Sequence, residues 1–328
     1  MQLGREREFI LFGLSGNDRS WRGVGLLAIV LIGTLIIAAI VSPWIYWGVL
    51  AWAKAAPNEL NLYLAEKDFP RYYDRLRWLS VILILPWLLK RCGLLSFASL
   101  GYASSRCGWQ SAGNWFGVGL AMLALVALVQ NFTVGLNIKL SLISGEFITV
   151  LMIGLMSGLL VAFVEETVFR GVVFRMFYTA INPIVAIIVS ALLFAALHFK
   201  KTPGSIGIDD TVSLGSGFYV GFWVMLSVFS TFEIFKFINL FFAGIMLNFL
   251  FLKSRSLLPC IGLHAGWVCF RAVYRKTVET NNDAPVFIWG SETVIDGVFP
   301  VFIMGIFVLA LGYRYYHESP RAESRSIV

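Results

Sequence analysis

Charged side chains are scarce in this sequence: Asp, Glu, Lys and Arg supply 14% of the 328 residues, whereas hydrophobic residues supply 58%. A mean hydropathy of +0.79 is far above what a soluble domain of this length needs, which excludes a soluble protein. The net charge of +7 comes from basic residues that are spread over most loops and alternate with acids. Because they form no compact patch, we expect no nucleic acid partner.

Cysteine is also rare, and none of the four cysteines belongs to a CxxC pair. Two of them lie in apolar, helix-like sequence, which favours buried free thiols over disulfides or a metal site. The four are Cys92, Cys107, Cys260 and Cys269.

The signatures of several membrane protease classes are missing. The only His-Glu dipeptide, His317-Glu318, lies in a polar tail and does not continue into HExxH, which excludes the zinc proteases that carry this motif. The adjacent acids Asp209 and Asp210 fall in a loop rich in Gly and Ser, so they do not indicate an intramembrane aspartyl protease. The single GLSG stretch precedes the first apolar run and does not indicate a serine nucleophile in a membrane span.

Long uncharged apolar runs are the most prominent feature that the sequence does contain. A helix needs about 20 apolar residues to cross the hydrocarbon core of a bilayer. Two shorter runs, 78–89 and 256–270, fall below that length. The longer runs are 24–52, 115–137, 147–164, 179–199, 214–232, 237–252 and 298–315. They predict an all-α fold, a polytopic membrane helix bundle with about eight transmembrane helices.

Two adjacent acids, Glu165 and Glu166, directly follow one of these runs. Nothing in the sequence stops a helix there, so both acids should lie on the same helix, inside the membrane or at its edge. One acid at the centre of a spanning helix costs about 2.5 to 3.5 kcal/mol, and two acids need an explanation. Arg170 follows Glu166 by four residues, the order that favours an ion pair on one helix face. Glu165 projects about 100° away around the helix and has no such local partner.

Two roles are possible for these acids, a structural cluster at the membrane edge or a catalytic pair. The histidines favour the catalytic role. His198 and His264 end apolar segments, whereas His317 lies in the polar tail. A lone histidine in an apolar helix is more often a core residue than a catalyst. Two histidines together with a carboxylate pair on a third helix can orient and deprotonate a water molecule.

Three short motifs, in this order, resemble those of the CPBP family, the CAAX-protease and bacteriocin-processing membrane proteins also called Abi. EETVFR at 165–170 matches EExxxR, FAALH at 194–198 matches FxxxH, and LHAGW at 263–267 resembles the third motif. EExxxR alone is a weak pattern, but three motifs in order on apparent spans are specific. The similarity covers residues 115–272, including the span, basic turn and short apolar lead that precede the third motif.

The resemblance implies a glutamic intramembrane endopeptidase. We expect it to need no cofactor and no metal ion, with a zinc ion bound by Glu and His as the alternative. By this resemblance, Glu165 would be the general base for water, assisted by His198. His264 would stabilise the oxyanion of the tetrahedral intermediate, and removing such a donor typically costs about 3 to 4 kcal/mol. Glu166 and Arg170 would hold the helix and the site together.

One position departs from the family pattern. The third motif usually reads His-x-x-x-Asn or Asp, whereas Val268 occupies the last position and cannot donate a hydrogen bond. Either His264 holds the oxyanion alone or another amide helps. Asn248, inside an apparent span, is a candidate, with hydrogen bonding between helices as its alternative role. Phe194 would pack the second motif, and a plain core position is its alternative.

The domain organisation follows from these motifs. A polar arm (1–23), N-terminal helices with a charged loop (24–114), a catalytic core (115–272), a loop with the last transmembrane helix (273–316) and a polar tail (317–328) are predicted. We expect a multi-pass protein of a bacterial inner membrane whose partners are lipid and a protein or peptide substrate at the membrane. No oligomeric state is indicated. The alternative is a non-catalytic immunity or scaffold protein, or a proton-coupled carrier.

Overall fold

The computed structural model describes residues 17–91, 100–102, 106–134, 136–138, 145–200, 212–280, 285–291 and 294–318. Most of the predicted polar arm and polar tail, as well as Cys92, Asp209 and Asp210, therefore lie outside the described residues, and the side chain of Cys107 is not described either. Nearly all the described residues are helical, which confirms the all-α fold class.

The helices follow the apolar runs, because these runs contain few residues that would stop a helix. One π-helical segment, Phe169–Phe174, joins two of the α-helices. The α-helices are α1 (Asn17–Ala55), α2 (Glu59–Ala65), α3 (Phe69–Arg91), α4 (Arg106–Val134), α5 (Gly145–Val168), α6 (Arg175–Ala180), α7 (Pro183–Leu197), α8 (Ser216–Ser230), α9 (Ile234–Ser254), α10 (Leu258–Thr277), α11 (Val286–Trp289) and α12 (Val298–Glu318).

Within the part of the chain that the structure describes, four helical stretches are long and apolar enough to cross a membrane. They are Val24–Ala55, Gly108–Thr133, Glu146–Tyr178 and Ile234–Ser254, and three shorter apolar helices accompany them. The stretch Glu146–Tyr178 contains most of α5, the π-helical segment and most of α6, so the two acids lie within a continuous helix and not beyond its end. A membrane helix bundle is thus confirmed, while the number of eight spans stays a prediction.

The structure differs from the sequence-based prediction in two places. The charged stretch 53–78 contains α2 and the beginning of α3. A capping box starts α2: the side chain of Asn58 accepts from the backbone N–H of Asn61 at 3.0 Å, and Asn61 accepts in return from Asn58 at 2.8 Å. Strand β1 (Leu136–Ile138) pairs antiparallel with β2 (Val278–Thr280), where we expected the end of a helix and a loop.

The chain divides into two compact units. One unit, here called the acid unit, comprises the described residues of Leu94–Ala195 and Glu233–Val328. The other unit comprises those of Ile10–Gly93 and Ala196–Phe232, with a core where α1, α3 and α8 pack. In that core, α1 and α8 approach closely at Gly217, where a Cβ atom would lie 2.0 Å from the carbonyl oxygen of Ala39.

In the acid unit, α10 packs tightly against both α4 and α5. Small residues make this possible: a Cβ atom on Gly266 would lie 2.4 Å from the carbonyl oxygen of Phe116 on α4. On the other side, a Cβ atom on Gly158 of α5 would lie 2.8 Å from the carbonyl oxygen of Ala265. Such distances are shorter than a van der Waals contact, so only glycine fits there. This close packing sets the position of the acids on α5 relative to the third motif on α10.

Candidate active site

Glu165 and Glu166 occupy the last turn of α5, as the uninterrupted apolar sequence before them predicted. The side chain of Glu166 is fully buried, whereas that of Glu165 remains 20% exposed. The two adjacent acids therefore have different surroundings. A buried carboxylate must be matched by charge or hydrogen bonds, while the partly exposed one can meet water or a substrate.

The π-helical segment begins three residues after Glu166 and carries Arg170. Widened turns of this kind are rare and are frequent at functional sites. The side chain of Arg170 is only 1% exposed. Despite the widened turn, its Nη1 atom pairs with Oε1 of Glu166 at 3.0 Å. The structure therefore contains the ion pair that the four-residue spacing predicted.

Arg170 also connects two helices. Its Nη2 donates to the carbonyl oxygen of Gly244 on α9 at 3.2 Å. Gly244 lies where α9 meets α7, because a Cβ atom there would come within 2.9 Å of Ala191. The guanidinium thus fixes the position of Glu166 relative to the α7–α9 pair.

His264 lies between the two acids. Its Nδ1 atom is 2.8 Å from Oε1 of Glu166, and its Nε2 atom is 3.9 Å from Oε2 of Glu165. Because an ionised carboxylate only accepts hydrogen bonds, Nδ1 carries the hydrogen and donates it to Glu166. Nε2 is left to face Glu165 at a distance too long for a direct hydrogen bond. One oxygen atom placed between them can contact both groups.

Phe194 lies against both Arg170 and His264. The Arg170 guanidinium carbon is 4.6 Å from the centroid of the Phe194 ring, and the His264 ring is 6.0 Å from it, centroid to centroid. Phe169 meets the same ring edge to face at 5.0 Å. Phe194, on α7, therefore packs against Arg170 of the first motif and His264 of the third.

Asn248 is committed to hydrogen bonds between helices. Its amide donates to the carbonyl oxygen of Ile187 at 3.1 Å and to Oγ of Ser190 at 2.8 Å. Both acceptors are on α7, whereas Asn248 is on α9. With both amide hydrogens engaged, this geometry supports the interhelical role and leaves no amide hydrogen for an oxyanion.

His198 follows α7 by one residue and is half-buried in the other unit. Its assistance to Glu165 stays a prediction. Val268 is half-buried on α10, one position beyond Trp267. Cys260 and Cys269, on the same helix, are free and buried, as predicted. No group of three His, Cys, Asp or Glu side chains within the described ranges could hold a metal ion.

Two neighbours of the acids were not predicted. The hydroxyl of Tyr102 hydrogen-bonds with that of Thr167, which itself donates to the carbonyl oxygen of Phe163 at 2.6 Å. Burial raises the pKa of Tyr102 to about 12, an effect that the bond to Thr167 opposes and the charge of Glu166 increases. Thr167 directly follows the acids in the sequence, but no local pattern connects Tyr102 with them.

Together these contacts form a cluster of two acids, an arginine and a histidine inside a helical membrane bundle. Residues 147–270 match the family model described as type II CAAX prenyl endopeptidase Rce1-like. Over this segment the chain is therefore similar to the CAAX-protease family, which confirms the resemblance of the three motifs. At the coarse level the match supports a protease, a hydrolase of peptide bonds, and with the long apolar helices it indicates an integral membrane protein. No curated protein and no solved structure was found to match the chain.

Proposed function

We propose that the protein is an endopeptidase that cleaves a peptide bond at the membrane by direct attack of a water molecule, without a metal ion. One observation carries the proposal: His264 is hydrogen-bonded to Glu166 through one ring nitrogen and directs the other towards Glu165. A group held in this way resembles the oriented histidine of hydrolase sites, in which a buried acid fixes the ring.

The charges of the cluster support this chemistry. In the proposed mechanism His264 acts as an imidazolium, so that its charge and that of Arg170 balance the carboxylates of Glu165 and Glu166. In this state Nδ1–H donates to Glu166, and Nε2–H is available as a second donor. An imidazolium beside a fixed carboxylate can stabilise negative charge that develops on a substrate oxygen.

The proposed reaction consists of an attack by water followed by the release of the leaving nitrogen. Glu165 takes a proton from water, and the resulting hydroxide attacks the carbonyl carbon of the peptide bond. The carbonyl oxygen becomes an oxyanion, which accepts a hydrogen bond from Nε2–H of His264. Glu165 next delivers its proton to the leaving nitrogen, the C–N bond breaks, and the carboxylate is regenerated. His198 would assist Glu165 in holding the water molecule, a role that rests on the family resemblance.

The proposed substrate is a membrane-associated or C-terminally tagged protein or peptide. The description of the matching family favours a prenylated CAAX protein, whereas Val268, in place of the usual amide or acid, argues for a different peptide. A bacterial cell membrane is the proposed location, since the motifs resemble those of bacteriocin-processing proteins as well.

The experiment compares the purified wild type with Glu165→Gln and His198→Ala on membrane proteins of the host, with mass spectrometry of the fragments. Glu146→Gln is the matched control, because Glu146 is an exposed acid in the first turn of the same helix. We expect fragments from the wild type and the control only. Identical profiles from all the folded proteins would refute the proposal and favour a non-catalytic scaffold, immunity protein or carrier.

A further inference from the structure

Trp267 carries a buried hydrogen-bond donor that is bound by no acceptor in the described part of the chain. The side chain lies on α10, three residues after His264, and is only 7% exposed. Its Nε1 atom is buried and has no hydrogen-bond partner among the described residues. An indole nitrogen can only donate, so the missing group is an acceptor.

A buried donor without an acceptor destabilises a fold, and native proteins contain few of them. The neutral amide donors inside the acid unit follow this rule. Gln130 donates to the carbonyl oxygen of Trp289, Asn239 to that of Ile295, and Asn248 to Ile187 and Ser190. An uncommitted indole N–H in the same surroundings therefore points to an acceptor that arrives from outside the chain.

The position of the indole indicates what this acceptor is. The rings of Trp267 and His264 are 6.3 Å apart, centroid to centroid, and are inclined by 52°. Because each ring nitrogen lies off its centroid, this separation allows the two N–H groups to reach a common oxygen atom. The imidazole is held in place by Glu166, with its Nε2 atom facing Glu165, so such an oxygen would lie beside the water that Glu165 activates.

Neither Val268 nor Asn248, the two other positions considered for this role, can supply a donor in place of the indole. Val268 has none, and both amide hydrogens of Asn248 are engaged between α7 and α9. If His264 has help in binding the oxyanion from a nearby side chain of α10, the indole of Trp267 is placed to give it.

We propose that Nε1–H of Trp267 donates a hydrogen bond to the carbonyl oxygen of the peptide bond that is cleaved, next to Nε2–H of His264. This inference rests on the proposed peptidase function and adds a second donor for the oxyanion. The donor acts on the charge that develops in the transition state, so it should affect kcat more than KM.

The test removes the N–H and keeps the shape of the side chain. Trp267 is replaced by 3-benzothienylalanine, in which sulfur takes the place of the indole nitrogen, and, in a second variant, by Phe. The same replacements at Trp109, which is 64% exposed on α4, serve as the control. The probe is an internally quenched farnesylated peptide with a CAAX sequence, or else a peptide found to be cleaved in the fragment comparison above.

We expect the benzothienyl variant at position 267 to lose about 100-fold in kcat, the effect of one oxyanion donor, with KM changed less than about twofold. Its Tm should be unchanged or higher, because the variant lacks a buried N–H that has no acceptor in the fold. The variants at Trp109 should match the wild type.

Two results would overturn the inference. An unchanged kcat at position 267 would show that the indole N–H does not contact the reacting oxygen, while the peptidase function itself would stand. A lower Tm of the benzothienyl variant would show that the N–H already has a structural partner, and this reading does not depend on activity. A wild type that is no more active than Glu165→Gln would instead refute the proposed function.

Discussion

His264 donates from Nδ1 to the same oxygen atom, Oε1 of Glu166, that accepts from Nη1 of Arg170, at 2.8 Å and 3.0 Å. One buried oxygen thus joins the third motif to the first. We assign Glu166 no water-activating role, because its side chain is fully buried and one of its oxygens is bound by both donors. Its neighbour Glu165 is the acid with access to a substrate.

The first prediction concerns the Glu166–Arg170 pair. Glu166→Gln should destabilise the protein by about 3–5 kcal/mol, since it leaves a buried guanidinium without its counter-charge. The double variant Glu166→Gln with Arg170→Met should be more stable than the single one. Thermal unfolding in detergent measures both. Equal stability of Glu166→Gln and the wild type would contradict a buried pair.

The matched control for this pair is Glu233→Gln. Glu233 pairs with Lys236 at 3.3 Å, but its side chain is 44% exposed. Exposed pairs contribute little, so this change should alter stability by less than about 0.5 kcal/mol.

The second prediction concerns Phe194. Phe194→Leu should lower both stability and activity, because leucine keeps most of the apolar volume but loses the ring under the guanidinium of Arg170. A desolvated cation–π contact is worth about 2 kcal/mol. Phe163→Leu, on a 44% exposed position of α5, should have little effect on stability. The measurements are Tm and cleavage rate, and an active, fully stable Phe194→Leu would show that the contact is incidental.

The third prediction concerns the close approach of α5 and α10. Gly158→Ala would place a Cβ atom 2.8 Å from the backbone of Ala265, next to His264, and should separate the two helices. We expect a loss of about 1–3 kcal/mol, typical of overpacking, together with a loss of activity.

Gly113→Ala is the control for this change, because a Cβ atom at Gly113 meets nothing within 4 Å. Alanine favours a helix interior by about 0.5–1 kcal/mol over glycine, so the control should be as stable as the wild type or more so. If Gly158→Ala behaves like Gly113→Ala, the packing of α5 on α10 does not set the site.

The fourth prediction is that strong chelators leave the cleavage rate unchanged. Oε1 of Glu166 is already bound by two donors, Nδ1 of His264 and Nη1 of Arg170, and the charged guanidinium lies 3.0 Å from it. A positive charge so close disfavours a metal ion at this carboxylate. Incubation with a chelator, followed by dialysis and assay, tests this. Activity that is lost and then restored by a divalent metal would contradict the direct attack of water.

Local sequence predicted most of the helices. Hydrophobicity over about 20 residues is a local property, so runs such as 24–52 could be placed without knowing the fold. The pairing of β1 with β2 joins residues that are far apart in the chain, and no local pattern shows it. Helix α2 was not predicted because the charged residues on both sides of it indicated a loop, although the Asn58–Asn61 capping box is a signal for its start.

In the site, too, only the contacts between residues close in the sequence could be predicted. The Glu166–Arg170 pair follows from helix spacing alone. The bond from His264 to Glu166 joins residues 98 positions apart, so only the packing of α10 on α5 creates it. The unused N–H of Trp267 could not be read from the sequence at all, since it depends on every neighbour of the ring.

The most direct test of the central claim follows the oxygen atom of water. The wild type, Glu165→Gln and the control Glu146→Gln are incubated with the host's membrane proteins in water enriched in oxygen-18, and the new C-termini are weighed by mass spectrometry. We predict that labelled fragments appear with the wild type and the control and are absent with Glu165→Gln. Labelled fragments that form equally with a folded Glu165→Gln would show that another group activates the water and would contradict this account.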